Sequence, residues 1–454
     1  MTSPTDIPES PEPRRKGGFL MNVLRAVGLR VVLMVVNLAI ALILARVLGP
    51  EQYGIYVFAF AIMTLIALPG QAGMPLINVR EVSFRLVDRD WAGVLGVVVR
   101  TRQLILGYSV FAGLGVAAVC WFVLADRLSD AETDAILWSV LLLPAFVLVA
   151  VTGASLRGLK HLLLGQFVET LFRPLLFLIL VGGVVVLSLG LPLDASDAMM
   201  VHAIGAVLAV GAALVLQHRI LAPKTQGLTP VYDTRTILKS IAPLTMIAGM
   251  QLIIGKTDIL MLRVMRSPEE VGYYQVALQW ANLALFAQQA VLMVSGPSVA
   301  RAYRKEDMAS VQHLLTSSAR LVFLGALPLS IALLLFGEAI IRLSFGAEYI
   351  PAAAALSVLI LGRVIQASYG AIIQLCKMVG WEGLMLRLVA VSALLNVVLN
   401  YLLIPDYGIV GAAIAGIVAS FFWKTALMVL CWRRLGLVSF PFGGRPASLI
   451  KGGE

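Results

Sequence analysis

The chain has 454 residues, of which 60% are hydrophobic and only 13% charged, against about 45–50% and about 25% in an ordinary soluble domain. A soluble fold of this length has too little interior for that apolar fraction, whereas a bilayer solvates apolar side chains directly. The formal charge of +10 is then accounted for by Lys and Arg in cytoplasmic loops, and nucleic acid is not an expected partner.

Residues 1–19 are polar and proline-rich and are expected to form a disordered cytoplasmic tail without a signal peptide. Apolar stretches of about 20 residues, enough to cross about 30 Å of hydrocarbon, then recur along the chain. Six are predicted at 20–48, 53–76, 104–125, 135–156, 163–189 and 199–221, making an N-lobe over 20–221. A cytoplasmic connector at 222–236 leads to six more at 237–262, 271–294, 319–336, 350–376, 384–404 and 409–432, a C-lobe over 237–432. Residues 433–454 form a second cytoplasmic tail. With the N-terminus inside, about 24 of the 35 Lys and Arg fall in cytoplasmic segments and about 4 outside, so both termini are expected to be cytoplasmic. Cys120, Cys376 and Cys431 lie in or beside apolar runs without metal-ligand spacing and are expected to be packing residues.

An internal repeat organises these spans. Arg46-Val-Leu-Gly-Pro-Glu-Gln-Tyr-Gly-Ile-Tyr56 matches Arg263-Val-Met-Arg-Ser-Pro-Glu-Glu-Val-Gly-Tyr-Tyr274 with one inserted residue, so the offset grows from 217 to 218. The same offset carries Arg102 and Gly107 onto Arg320 and Gly325. The expected fold is therefore an all-α integral membrane protein of about twelve transmembrane helices, in two six-helix lobes around a central cavity. Each copy holds an even number of spans, so the two are parallel repeats related by an axis along the membrane normal.

Charged residues inside such spans cost about 2.5–3.5 kcal/mol each at mid-helix and mark functional interiors. Arg25 and Arg46 lie near helix ends and can snorkel. Arg30, Arg173, Lys256, Arg363 and Lys424, with Glu169 and Asp258, lie deeper; five positive against two negative charges suit an anionic substrate. Gln275, Gln279, Asn282 and Gln289 share one helical stripe, as do Arg363, Gln366 and Gln374, Asn396 and Asn400, and Arg30 and Asn37. Such amides either line a cavity or join helices; the four-residue stripe favours a cavity. Glu169 and Arg173, four residues apart, are expected to pair. Asp258 must find a basic group on another helix or be protonated, which makes it the first candidate for ion or proton coupling, with Glu169 second. Gly255-Lys256-Thr257 resembles the end of a P-loop, but Met250 stands where its first glycine belongs and the segment lies inside an apolar helix. No cofactor, metal or catalytic motif is present, so an enzyme is not expected.

Four motifs in register resemble the polysaccharide-transporter branch of the multidrug/oligosaccharidyl-lipid/polysaccharide exporter superfamily, the flippases for O-antigen and exopolysaccharide repeat units. They are Leu44-Ala-Arg-Val-Leu-Gly-Pro-Glu-Gln-Tyr-Gly-Ile-Tyr56; Thr257-Asp-Ile-Leu-Met-Leu262 with Pro268-Glu-Glu-Val-Gly-Tyr-Tyr274; Phe345-Gly-Ala-Glu-Tyr349; and Asn396-Val-Val-Leu-Asn-Tyr-Leu-Leu-Ile-Pro-Asp-Tyr-Gly-Ile-Val-Gly-Ala-Ala413. The resemblance implies alternating access in a bacterial cytoplasmic membrane and an undecaprenyl-pyrophosphate-linked oligosaccharide as substrate. It also implies membrane lipids as surroundings, possible coupling to H+ or Na+, and a polysaccharide polymerase and an initiating glycosyltransferase as pathway partners. Export of a soluble anion or drug is the alternative within transport. A membrane glycan polymerase or ligase fits less well, because the predicted outer connectors are about ten residues or fewer.

Overall fold

The computed structural model describes residues 16–122, 128–187 and 192–442. Among them there is no strand. Helix α1 (Lys16–Ile66) is followed by α2 (Leu68–Ala72), α3 (Met74–Val87), α4 (Trp91–Phe122), α5 (Asp130–Gly158) and α6 (Leu162–Gln166). A π-helical turn (Phe167–Phe172) joins α6 to α7 (Arg173–Leu187), and α8 (Ala195–Thr225) completes the first copy. The second contains α9 (Thr234–Met265), α10 (Pro268–Leu283), α11 (Phe286–Arg304), α12 (Met308–Ser344), α13 (Ala352–Ala367), α14 (Ile372–Met378) and α15 (Glu382–Leu435).

Among the described residues seven helices are long and apolar enough to cross a bilayer, or eight if α13 and α14, bent by 48°, count as one span. The longest two each contain two arms. In α1 the break is Gly49, whose φ of 70° suits a residue without Cβ, and Pro50 then opens the second arm. In α15 the break is Gly408, with φ 52°. Both breaks fall in the short connectors expected after positions 48 and 404. Three predicted continuous spans are instead interrupted. The second divides at Ala67 and Gly73, the eighth between α10 and α11, and the tenth at residues 368–371, where Gly370 adopts φ 46°.

The two copies cross where their repeat motifs meet. A Cβ on Gly54 would lie 1.8 Å from the Pro268 carbonyl oxygen, and one on Gly272 would lie 2.3 Å from that of Pro50. Pro50 and Pro268, and Gly54 and Gly272, are repeat equivalents, so each copy makes the other's contact, as elements related by a two-fold axis do. The arginines ahead of the motif also exchange lobes. Arg46 donates from Nε to the Ser344 carbonyl at 2.7 Å, neutralising the C-terminal end of α12, while Arg263 forms an ion pair with the buried Glu132 at the start of α5. Tyr349 adds a hydrogen bond to the Ala45 carbonyl at 2.8 Å, with Tyr53 and Tyr273 edge-on to its ring. The lobes are thus joined at the end expected to face outward.

At the opposite end each lobe is strapped by the chain that follows its last helix. The connector, expected over 222–236, is shorter because α8 and α9 extend into it; Val231 donates to the Ala92 carbonyl at 3.1 Å, and Arg100 Nε to Thr234 Oγ1 at 2.7 Å. Past α15 the second tail is packed rather than free as far as residue 442: Gln312 exchanges hydrogen bonds with the Val438 backbone at 2.7 and 2.9 Å, and Arg320 Nε donates to the Pro441 carbonyl at 2.6 Å. Residues 1–15 and 443–454, the remainder of both predicted tails, lie outside the described residues, as does the Arg25 side chain.

Gly54→Val places a branched side chain against the Pro268 carbonyl and is expected to destabilise the folded protein by about 1–3 kcal/mol. Gly107→Ala, where a Cβ meets nothing within 4 Å, should be nearly neutral. Thermal unfolding of the two variants in detergent checks the difference, and equal midpoints would contradict the close crossing.

Candidate functional site between the lobes

The polar residues of the spans converge on two adjacent cavities. The first, about 560 Å³, lies within the C-lobe and is lined by Lys256, Asp258, Tyr274, Arg363, Gln366 and Lys424, among others. The second, about 360 Å³, lies between the lobes and is lined by Asn37, Tyr56, Phe60, Arg173, His202 and Gln279, among others. Lys256, Gln275 and Asn282 belong to both walls. The stripe predicted on one helix is therefore the partition of a cavity: α10 turns Gln275, Gln279 and Asn282 inward because the crossing at Gly272 holds its first turn against the other lobe. The side chain of Gln289 lies outside the described residues.

Charge in the C-lobe cavity is unevenly matched. Arg363 Nη2 donates to Asn282 Oδ1 at 2.7 Å and Nη1 to Gln366 Oε1 at 2.9 Å, while its buried Nε has no hydrogen-bond partner. Lys424 is only 5% exposed, and its ammonium lies 5.5 Å from the ring centre of the adjacent Trp423. Lys256 lies 5.8 Å from the Phe60 ring centre, reaching toward the other lobe. None of these three cations forms an ion pair among the described residues. An isolated charge in such a place is costly until an anion joins it.

Of the two outcomes expected for Asp258, a basic partner or protonation, the first is not met: it forms no ion pair among the described residues. Its Oδ1 accepts from Asn396 Nδ2 at 2.9 Å and Asn400 Nδ2 at 2.8 Å, and its Oδ2 from Tyr274 Oη at 3.0 Å. Three neutral donors hold the carboxylate, and the Asn396 and Asn400 amide oxygens are left buried without partners. Asn396 and Asn400, legible in the sequence as one face of a helix, are here the floor of this cluster.

Arg173 and Glu169 do not pair. The π-helical turn between them has a wider repeat than an α-helix, so a residue four further on no longer stands over the first. Glu169 forms an ion pair with Arg157 at 2.7 Å instead and lines neither cavity. Arg173 lies 3.4 Å over the Phe146 ring and donates from Nη1 to His202 Nε2 at 3.0 Å. Because a guanidinium only donates, His202 must be neutral and protonated at Nδ1, which faces Tyr56 Oη at 2.8 Å. Arg30 is exposed and lines neither cavity; the cavity wall on α1 begins at Met34. Among the described residues the two walls thus carry four basic side chains, Arg173, Lys256, Arg363 and Lys424, and one acid, Asp258.

Tyr56, Tyr274 and His202 were not singled out by charge or spacing. The signal was present in the repeat, since Tyr56 and Tyr274 are its last equivalent pair. Each reaches a buried ionisable group of its own lobe, His202 in the first and Asp258 in the second.

Comparison with known proteins agrees with this architecture. Residues 43–354 match the family described as polysaccharide biosynthesis protein. Among curated relatives, the chain is 27% identical over 158 residues to a probable low-salt glycan biosynthesis flippase, Agl15, of Haloferax volcanii, covering 35% of this chain and 34% of that protein. It is 27% identical over 175 residues to an uncharacterised membrane protein of Methanocaldococcus jannaschii, covering 37% and 34%. Both matches span about a third of the relatives' length. In structure it is similar to the lipid II flippase MurJ in an inward closed conformation, with TM-score 0.72, 14% identity and coverage of 90% and 87%. It is also similar to an inward-facing multidrug resistance MATE family transporter of the MOP superfamily, with TM-score 0.70, 16% identity and coverage of 88% and 96%. These neighbours are transporters or flippases rather than enzymes, and they share the all-α membrane fold. The chain belongs to the polysaccharide biosynthesis protein family.

Proposed function

We propose that this protein flips an undecaprenyl-pyrophosphate-linked oligosaccharide from the inner to the outer leaflet of a bacterial cytoplasmic membrane by alternating access, for assembly of a surface polysaccharide. The observation that carries the reading is the ammonium of Lys424, buried beside Arg363 without an anionic partner in a cavity that opens on a wall of amides. A diphosphate supplies the missing charge, and amides of the kind that line both cavities hydrogen-bond sugar hydroxyls. A cation exporter would need the opposite balance. The polymerase and the initiating glycosyltransferase of such a pathway would be its functional neighbours.

Asp258 is the proposed coupling group. Its carboxylate, together with the two orphaned amide oxygens of Asn396 and Asn400, offers oxygen ligands to a proton or a Na+ ion. Binding there would add a positive charge within the cavity that receives the substrate's negative ones, so the two events reinforce each other electrostatically.

In liposomes carrying a fluorescent polyprenyl-diphosphate oligosaccharide, Lys424→Met and Arg363→Ala are each expected to slow translocation at least about tenfold, the loss of one charge-assisted contact, with insertion and abundance normal. Loss of the protein itself would show those charges to be structural. Lys256→Ala should behave likewise, as the cation shared by both cavities.

For Asp258→Asn the expected result is transport that no longer responds to an imposed H+ or Na+ gradient, with substrate binding changed less than about twofold. Equal gradient dependence in variant and parent would remove Asp258 from the coupling role.

A further inference from the structure

We propose that a third cavity, between α4 and α8, binds the phosphate of an anionic phospholipid of the surrounding membrane. It has a volume of about 620 Å³, is lined by Val98, Arg102, Gln217, His218, Leu221 and Gln226 among others, and shares no lining residue with the two central cavities. The inference is independent of the transport reading, because it concerns a different place in the fold.

The repeat shows what such a site takes. Arg102 and Arg320 are equivalent residues of the two copies. In the second copy the chain's own tail reaches the arginine: Arg320 donates to the Pro441 carbonyl, and Phe442 lies edge-on to Phe323 at 5.9 Å. In the first copy α8 remains helical as far as Thr225, so no equivalent tail reaches Arg102, and the space stays open. The guanidinium donates to the Gln217 side-chain oxygen and forms no ion pair among the described residues. Gln217 is 1% exposed, and its amide nitrogen has no hydrogen-bond partner. The Gln217 amide nitrogen therefore lacks an acceptor, and the Arg102 guanidinium lacks a counter-ion among the described residues.

Depth and surroundings favour a lipid as its source. Arg102 lies at the inner edge of the third predicted span and Gln217 near the inner end of the sixth, the level of headgroups for a chain with its N-terminus inside. Arg219 and Lys224 lie close by in sequence on α8, with Lys224 4.9 Å from the Trp91 ring centre, and such basic clusters at the cytoplasmic surface attract anionic lipid. Deeper along the same two helices, Leu106, Val110, Val207 and Leu208 are exposed and offer an apolar surface for acyl chains. One molecule with a phosphate at one end and hydrocarbon at the other satisfies the whole arrangement.

Native mass spectrometry of the full-length protein in mild detergent, titrated with phosphatidylglycerol, tests this. The parent is expected to retain one lipid more tightly than the rest, Arg102→Gln to weaken that binding about tenfold, and Arg304→Gln, exposed at the end of α11 in the other lobe, to change it less than about threefold. If Arg102→Gln does not fold, Arg102→Lys and Gln217→Leu take its place; the first should bind within about threefold of the parent and the second more weakly. Equal retention in the parent and in the Arg102 or Gln217 variant that folds would overturn the proposal. So would displacement of the lipid by millimolar inorganic phosphate, which would mark a site for the soluble anion.

Discussion

Two backbone contacts between two prolines and two glycines hold this molecule in register. Gly54 receives the Pro268 carbonyl and Gly272 receives that of Pro50, at distances no side chain would permit. Because the pairs are equivalent, a single local geometry used twice sets the axis between the lobes. The neighbouring residues follow from it: Arg46 and Arg263 are carried across to the opposite lobes, and Tyr349 is brought under the end of the first arm of α1. The same crossing fixes the rotation of α10, and with it the inward face of Gln275, Gln279 and Asn282. Closure at this end combines these short contacts with an apolar core that runs through both lobes, and the alternating access proposed above would have to break and remake them.

Duplication supplied the frame, and divergence supplied the chemistry. The equivalent tyrosines Tyr56 and Tyr274 occupy matching places, yet one bonds to neutral His202 backed by Arg173 and the other to Asp258 held by two asparagines. Unpaired positive charge is concentrated in the second lobe, where Lys424 and Arg363 share a cavity with Asp258. The first lobe stacks its arginine on Phe146 and bonds it to His202. The straps at the other end diverge in the same way: one tail folds back to its arginine, whereas α8 runs on past Arg102.

Much of this was legible in the amino-acid sequence because a bilayer leaves strong marks. Apolar length located the spans, the Arg-to-Tyr motif revealed the duplication, and the cost of burying charge pointed to Lys256, Arg363 and Lys424. Helical periodicity grouped Gln275, Gln279 and Asn282, which line the cavities, but carried the stripe on to Gln289, which falls on α11 beyond a break. It failed at Glu169 and Arg173, since periodicity assumes a regular α-helix and the π-helical turn changes the angle between them. Apolar length alone did not register the breaks inside the second, eighth and tenth spans, although Pro69, Gly70 and Gly73 in the second and Gly370 in the tenth are residues that interrupt helices. Arg30 misled for a different reason. It shares a face with Asn37, but a shared face does not fix where along the helix the cavity begins. Asp258 met asparagines and a tyrosine because three neutral donors on two other helices together can do what one cation would, and no single-helix pattern reveals that.

The central claim is that the cationic cavity serves a lipid-linked diphosphate. Mass spectrometry of polyprenyl-linked glycans and of surface polysaccharide, in cells lacking this protein and in the same cells complemented, tests it most directly. The account predicts that a lipid-linked repeat unit accumulates and the surface polymer disappears, both reversed on complementation. An unchanged lipid-linked pool would contradict it and assign the cavity to a soluble anion.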